Sequence, residues 1–269
     1  MIPEPGSSLL THGDQEALSG SKRWFICRSE RPHAALRMFC LPYAGGGASV
    51  FNSWSNSFPD SFELQAVQLP GRESRYNEQK FTDIHKTTKA LADSIKPYLD
   101  RPYALFGYSM GALVAFELMR ELRRRGEPLP IQLFTAAMRA PQTPPICPSL
   151  ADLPNDNFLE TMRYYYNPPK DAWNLPGLIE VILPTLRADM KICDGYIHNL
   201  EPPFDCPIHA FAGKDDRCSP PAIVREWRQQ TTEDFNMDVF DGTHFFINTA
   251  LDDLQRAVIS RLENIVRHL

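Results

Sequence analysis

The side chains best suited to chemistry are a serine between glycines, a histidine before two phenylalanines and an aspartate pair after a glycine. Such a set fits nucleophilic acyl transfer. Gly107-Tyr108-Ser109-Met110-Gly111 matches G-x-S-x-G, follows the apolar run 103–106 and opens a helical stretch that stops at Gly126. The setting says more than the letters. A nucleophile elbow is a strand-to-helix turn that holds its serine in strained backbone and needs small residues on both sides. The helix start behind Ser109 places partial positive charge where an oxyanion would form, so the backbone amide of Met110 is expected as one oxyanion donor.

A second donor is expected in Leu41-Pro42-Tyr43-Ala44-Gly45-Gly46-Gly47, after the apolar run 36–41, with the amide of Ala44 as the choice. A plain glycine turn is the competing reading. A phosphate loop fits less well, because neither G-x-G-x-x-G nor a closing Gly-Lys-Ser/Thr is completed. The orienting acid is expected between serine and histidine in chain order. Gly213-Lys214-Asp215-Asp216 follows another apolar run and precedes Ser219 and Pro220, read as the N-cap and first residue of a helix. Asp216 is favoured by its spacing from Gly213; Asp215 is the rival, with turn formation as its ordinary role. After the run 131–136 no acid is available, since neither Asp nor Glu occurs between Glu127 and Asp152.

Of seven histidines, His244 in Asp241-Gly242-Thr243-His244-Phe245-Phe246 is the one that follows a late strand. It is expected to take the Ser109 proton while Asp216 fixes its tautomer, the two amides hold the oxyanion and water completes deacylation. This chemistry calls for no cofactor and no metal.

These groups must be brought together by strands that end on one side of a sheet. Short β-rich runs at 36–41, 64–69, 103–107, 131–136, 207–212 and 237–240 alternate with helical patterns at 48–58, 81–99, 110–125, 220–231 and 251–268. That alternation predicts an α/β fold with a mostly parallel, doubly wound sheet. The stretch 141–198 opens with Pro141, Pro144, Pro145 and Pro148, carries helical patterns at 157–166 and 177–196, and is expected to be a helical lid over the sheet's edge. Residues 1–30 are expected to be a flexible segment, the first 20 a mobile tail, and 31–269 one domain. Arg123-Arg124-Arg125 before Gly126 is expected to serve the helix dipole and an αL cap rather than a docking patch.

The 28 Lys+Arg against 33 Asp+Glu leave a net charge of −5, which argues against a nucleic-acid partner. With 43% hydrophobic and 23% charged residues the proportions are those of a globular domain. No apolar run approaches the roughly 18 to 20 residues of a membrane span, so no membrane partner is expected. Residues 1–20 contain Glu4, Asp14 and Glu16 and have neither a basic start nor an apolar run, which is unlike a secretory signal. A cytoplasmic location is expected. Cys27, Cys40, Cys147, Cys193, Cys206 and Cys218 form no C-x-x-C pair and no zinc spacing, and are expected as reduced thiols.

From about residue 36 to 268 the chain resembles the type II thioesterases that accompany non-ribosomal peptide and polyketide synthases, relatives of the oleoyl-carrier-protein hydrolases of fatty-acid synthesis. The resemblance is carried by Leu41-Pro42-Tyr43-Ala44-Gly45-Gly46, Gln68-Leu69-Pro70-Gly71-Arg72-Glu73-Ser74-Arg75, Phe106-Gly107-Tyr108-Ser109-Met110-Gly111-Ala112 and Gly242-Thr243-His244-Phe245-Phe246, in the family's order and spacing. The L-P-G-R element discriminates most, because generic lipases and esterases lack it. Tyr43 stands where many relatives have His or Phe, and Thr243 where many have Gly. The resemblance implies an α/β-hydrolase core with a small helical lid, and hydrolysis of acyl groups held on the phosphopantetheine thiol of carrier proteins.

A thiolate leaves more readily than an alkoxide, yet the same serine chemistry cleaves oxygen esters, so the choice of a thioester rests on the resemblance. Phe158, Met162, Tyr164, Tyr165, Trp173, Leu178, Ile182 and Leu186 of the lid would suffice to line an acyl pocket, with ordinary packing as the alternative for each. The expected partners are an acyl or peptidyl carrier protein and its acyl thioester, and the expected state is a monomer. A carboxylesterase or lipase on free esters is the alternative, as is an acyltransferase or cyclase releasing product to an internal nucleophile. The lack of an attached carrier or synthetase segment is taken as disfavouring the cyclase.

Overall fold

The computed structural model describes residues 23–169 and 177–267. Strands β1 (Phe25–Ile26), β2 (Leu36–Leu41), β3 (Phe62–Val67), β4 (Tyr103–Tyr108), β5 (Gln132–Ala136), β6 (Ile208–Gly213) and β7 (Phe235–Phe240) form one sheet in the order β1-β3-β2-β4-β5-β6-β7. Every neighbouring pair is parallel except β1 with β3. The central strands are apolar almost throughout because both sheet faces are covered. In β4, Tyr103 and Leu105 enter the core on one face, while Ala104, Phe106 and Tyr108 enter the core on the other.

Helices α2 (Ile84–Ile95) and α3 (Met110–Arg125) cover the first face, with Leu91, Ile95, Leu113, Met119 and Leu122 buried there. The second face is covered by α1 (Trp54–Ser57), α7 (Phe246–Thr249) and α8 (Leu251–Val266), through Trp54, Phe246, Leu254, Val258 and Leu262. Helix α3 ends as its sequence implied. Gly126 takes the left-handed conformation at φ 68°, and Arg123, Arg124 and Arg125 pair with Glu201, Glu121 and Asp93. The three arginines are thus held by carboxylates of their own chain.

The lid consists of α4 (Asn155–Tyr166) and α5 (Leu178–Asp194), joined by a small core of Leu150, Phe158, Met162, Leu186 and Met190. Helix α5 seats on the loops that follow β2 and β3, for Thr185 Oγ1 donates to Gly71 O at 2.7 Å and Leu186 lies against Gly45.

Several expectations are corrected. Within the segment expected to be flexible, Trp24 and Phe25 are buried, and β1 adds to β3 while Phe25 packs edge-on against Phe39. Two residues are too few to show a strand periodicity in sequence. The expected mobile tail, residues 1–20, lies outside the described residues. The helix expected at 48–58 is a 3-10 turn, Ala48–Phe51, followed by the short α1. The one expected at 220–231 is α6 (Pro221–Val224) running into a 3-10 turn, with Pro220 rather than Ser219 at the cap. Ser219 is engaged elsewhere, its Oγ accepting the amide of Arg139 at 3.1 Å.

The expectation of reduced thiols fails for one pair. Cys147 and Cys218, 71 residues apart, form a disulfide with their Cα atoms 5.4 Å apart. Folding of the proline-rich start of the lid against the Asp216 loop creates that proximity, and no sequence spacing records it. Cys27, Cys40, Cys193 and Cys206 are unpaired.

Candidate active site

The elbow forms where β4 meets α3, and Ser109 sits at φ 52°, ψ −121°, a strained backbone for a residue with a Cβ. Its glycines are required by close approach. A Cβ on Gly107 would lie 2.4 Å from the backbone of Ala112, and one on Gly111 would lie 2.2 Å from Leu41 O. The second contact presses the start of α3 against the loop after β2. The register agrees, since Leu41 and Gly107 are paired at the ends of β2 and β4. Neither the Ala44 amide nor the Met110 amide has a hydrogen-bond acceptor among the described residues, so both remain available to a ligand oxygen.

Ser109 Oγ lies 2.9 Å from His244 Nε2, and His244 Nδ1 lies 2.8 Å from Asp216 Oδ2. The other Asp216 oxygen accepts the amides of Cys218 at 2.9 Å and Ser219 at 3.0 Å. Burial pushes the Asp216 carboxyl up, but His244 and the two amides outweigh it and hold it below the usual carboxylate range. Asp215 is exposed and takes no part in this chain of bonds. All three side chains are buried, and aromatic rings wall the imidazole: Tyr166 stands perpendicular at 4.8 Å and Phe245 at 5.4 Å. Tyr108 fixes the histidine loop from below, donating to His244 O at 2.7 Å and accepting from Ile247 N at 3.1 Å.

Two cavities meet at this point. One, of about 70 Å³, is lined by Ser109, His244, Arg139 and the disulfide. The other, of about 490 Å³, runs beneath the lid past Leu178, Val181, Ile182 and Leu186. Tyr43, Ala44, Met162 and Phe245 line both and stand between them. Of the lid residues expected to line a pocket, Met162, Leu178, Ile182 and Leu186 do so. Phe158 is buried in the lid core, Tyr164 and Tyr165 line an outer groove, and Trp173 lies outside the described residues. Cys193 also faces the smaller cavity, but burial and the nearby Asp189 and Asp194 push its thiol up, so it is a poor rival nucleophile.

Sequence reasoning missed Arg139, Tyr166 and Asp189. Arg139 lines the smaller cavity, its guanidinium tied to the Thr143 carbonyl, and burial lowers its pKa. Asp189 holds the loop after β2 from the lid side. A single acid in a helical pattern carries no signal of such a role. Among the described residues no cluster of His, Cys, Asp and Glu could hold a metal ion.

The sequence profile of the thioesterase domain family matches residues 36–266. The gramicidin S biosynthesis protein GrsT of Aneurinibacillus migulanus is 37% identical over 230 residues, 86% of this chain and 90% of that one. Among solved structures, the RedJ thioesterase of the prodiginine pathway in Streptomyces coelicolor is similar at a TM-score of 0.81 and 35% identity, covering 86% of this chain and 92% of that one. The type II thioesterase BorB of the borrelidin cluster is similar at a TM-score of 0.79 and 29% identity, covering 89% and 96%. On these matches the chain belongs to the thioesterase family, an α/β-hydrolase-fold enzyme acting on thioesters and similar to a type II thioesterase.

Proposed function

We propose that this enzyme hydrolyses acyl groups from the phosphopantetheine arm of carrier proteins in natural-product or fatty-acid biosynthesis, with Ser109 as nucleophile, His244 as base and Asp216 as orienting acid. The observation that carries the reading is the unbroken Ser109–His244–Asp216 chain of hydrogen bonds opening into a cavity. His244 Nε2 takes the Ser109 proton as Oγ attacks the thioester carbon. The oxyanion settles on the amides of Ala44 and Met110, and the imidazolium is stabilised by Asp216. His244 then returns the proton to the departing thiolate. Water, deprotonated by the same nitrogen, attacks the acyl-serine, and acid and free enzyme result.

The type II thioesterase of the borrelidin cluster, the RedJ thioesterase of the prodiginine pathway and GrsT in gramicidin S biosynthesis support a carrier-bound substrate by likeness. The 490 Å³ cavity has room for an acyl chain or for the pantetheine arm, with the scissile carbon beside Ala44, which lines both cavities. A monomer acting in the cytoplasm completes the proposal. Among the described residues no helix is long and apolar enough to cross a membrane. The test is a side-by-side assay on acyl-carrier protein, acyl-CoA and p-nitrophenyl ester, with Ser109→Ala as control. Carrier-bound acyl groups should be cleaved with the highest kcat/KM. A free ester preferred over both thioesters overturns the substrate class, and phosphonate labelling that persists in Ser109→Ala overturns the nucleophile.

A further inference from the structure

Outside the three reacting side chains, the lid carries a buried carboxylate. Asp189 of α5 is 1% exposed, and its Oδ2 accepts the Gly45 amide at 2.7 Å. The same carboxylate is gripped at both oxygens by Arg72 of the L-P-G-R element, at 2.7 and 2.8 Å. Arg72 Nη1 also donates to Gly46 O at 3.0 Å, and the Gly46 amide donates to Tyr43 O at 2.9 Å. Tyr43 O and the Ala44 N–H belong to one planar peptide unit, so what fixes that carbonyl fixes the direction of the amide. The next peptide is held by Asp189 through Gly45 N, and the Gly46–Gly47 peptide is held by Arg72 through Gly46 O.

We infer that Asp189 is a positioning residue that makes the oxyanion site conditional on the seating of lid helix α5, with Arg72 as the link between them. The inference rests on the proposed role of the Ala44 amide. An ion pair this deep costs desolvation, and replacement by apolar groups is often harmless to stability, so its presence is weak evidence for a purely fold-holding role. Its position beside a catalytic loop explains it better. When α5 lifts, the loop loses Asp189 at Gly45 and the orientation of Arg72 at Gly46. With the helix seated, the Ala44 N–H is aimed and the site is complete.

The experiment compares wild type, Asp189→Asn and the double variant Arg72→Ala/Asp189→Ala, which removes both buried charges and so avoids stranding one. Readouts are kcat, KM, thermal stability and the inhibition constant of an acyl trifluoromethyl ketone, whose adduct with Ser109 carries an oxyanion. Removing a whole oxyanion donor costs about 10² to 10³ in kcat, so misaiming one should cost on the order of 10 to 10². KM should stay within about twofold, and the ketone should weaken by the same factor as kcat, because both depend on the oxyanion and substrate binding does not. Folded variants with unchanged kcat and unchanged ketone affinity overturn the inference and leave the pair structural. A loss confined to KM overturns it as well. A ketone that forms no Ser109 adduct in wild type would instead sink the reading of the site on which the inference stands.

Discussion

Asp216→Asn changes one oxygen to an amide at a position with no slack. Asp216 Oδ1 is held by two backbone amides, at 2.9 and 3.0 Å, so the asparagine keeps its oxygen there and turns its NH2 toward His244. The 2.8 Å contact at Nδ1 then pairs two donors unless the imidazole shifts its proton to Nε2. That tautomer points an N–H at Ser109 Oγ and cannot accept its proton. The loss expected from a wrong tautomer is on the order of 10⁴ in kcat, or about 5.4 kcal/mol in the barrier. Asp215→Asn, at an exposed side chain outside the hydrogen-bonded chain, should stay within about 0.5 kcal/mol, a factor of roughly two. Single-turnover acylation with an acyl thioester, alongside circular dichroism and thermal melts, separates chemistry from folding. Retention of a tenth or more of the rate in Asp216→Asn, or a larger loss in Asp215→Asn, refutes the assignment of the acid.

Ile182→Trp narrows the larger cavity without touching the three reacting groups, and should lower the rate on long acyl chains by about tenfold or more while leaving acetyl within about threefold; equal effects on both would mean that the acyl chain goes elsewhere. Enzyme purified without reductant should titrate four thiols when denatured and six after reduction, and reduction should lower stability by up to about 4 kcal/mol for a 71-residue loop. Six thiols without reductant would refute the Cys147–Cys218 pairing. Burial pushes the Glu63 carboxyl up, but Arg37, Gln65 and the Arg31 amide hold it below the usual range, so its folded pKa lies under its unfolded value of about 4.3. Its contribution is therefore present above that pH and fades as pH falls through the folded value. The difference in urea midpoint between wild type and Glu63→Gln should be full at pH 7 and shrink below about pH 4; a gap that is unchanged at pH 3 contradicts the buried Arg37–Glu63 pairing.

What the sequence by itself determined was whatever depends on neighbours along the chain. The elbow was legible because a β run, two glycines around Ser109 and a helix from Met110 to Arg125 are consecutive, and local periodicity and close approach act over a few residues. The parallel sheet was legible from the alternation of such runs, and the left-handed cap at Gly126 from its glycine. The tertiary structure decided what depends on residues far apart. It brought the Asp216 carboxylate to the imidazole, leaving Asp215 in solvent, because only the packed turn points one side chain inward. It joined Cys147 to Cys218, turned residues 25–26 into an edge strand, and set Asp189 of the lid against Gly45, 144 residues away. Such contacts exist only after the chain has closed long loops, and their loop-closure entropy is met by the core as a whole, so no short stretch of sequence carries their signature.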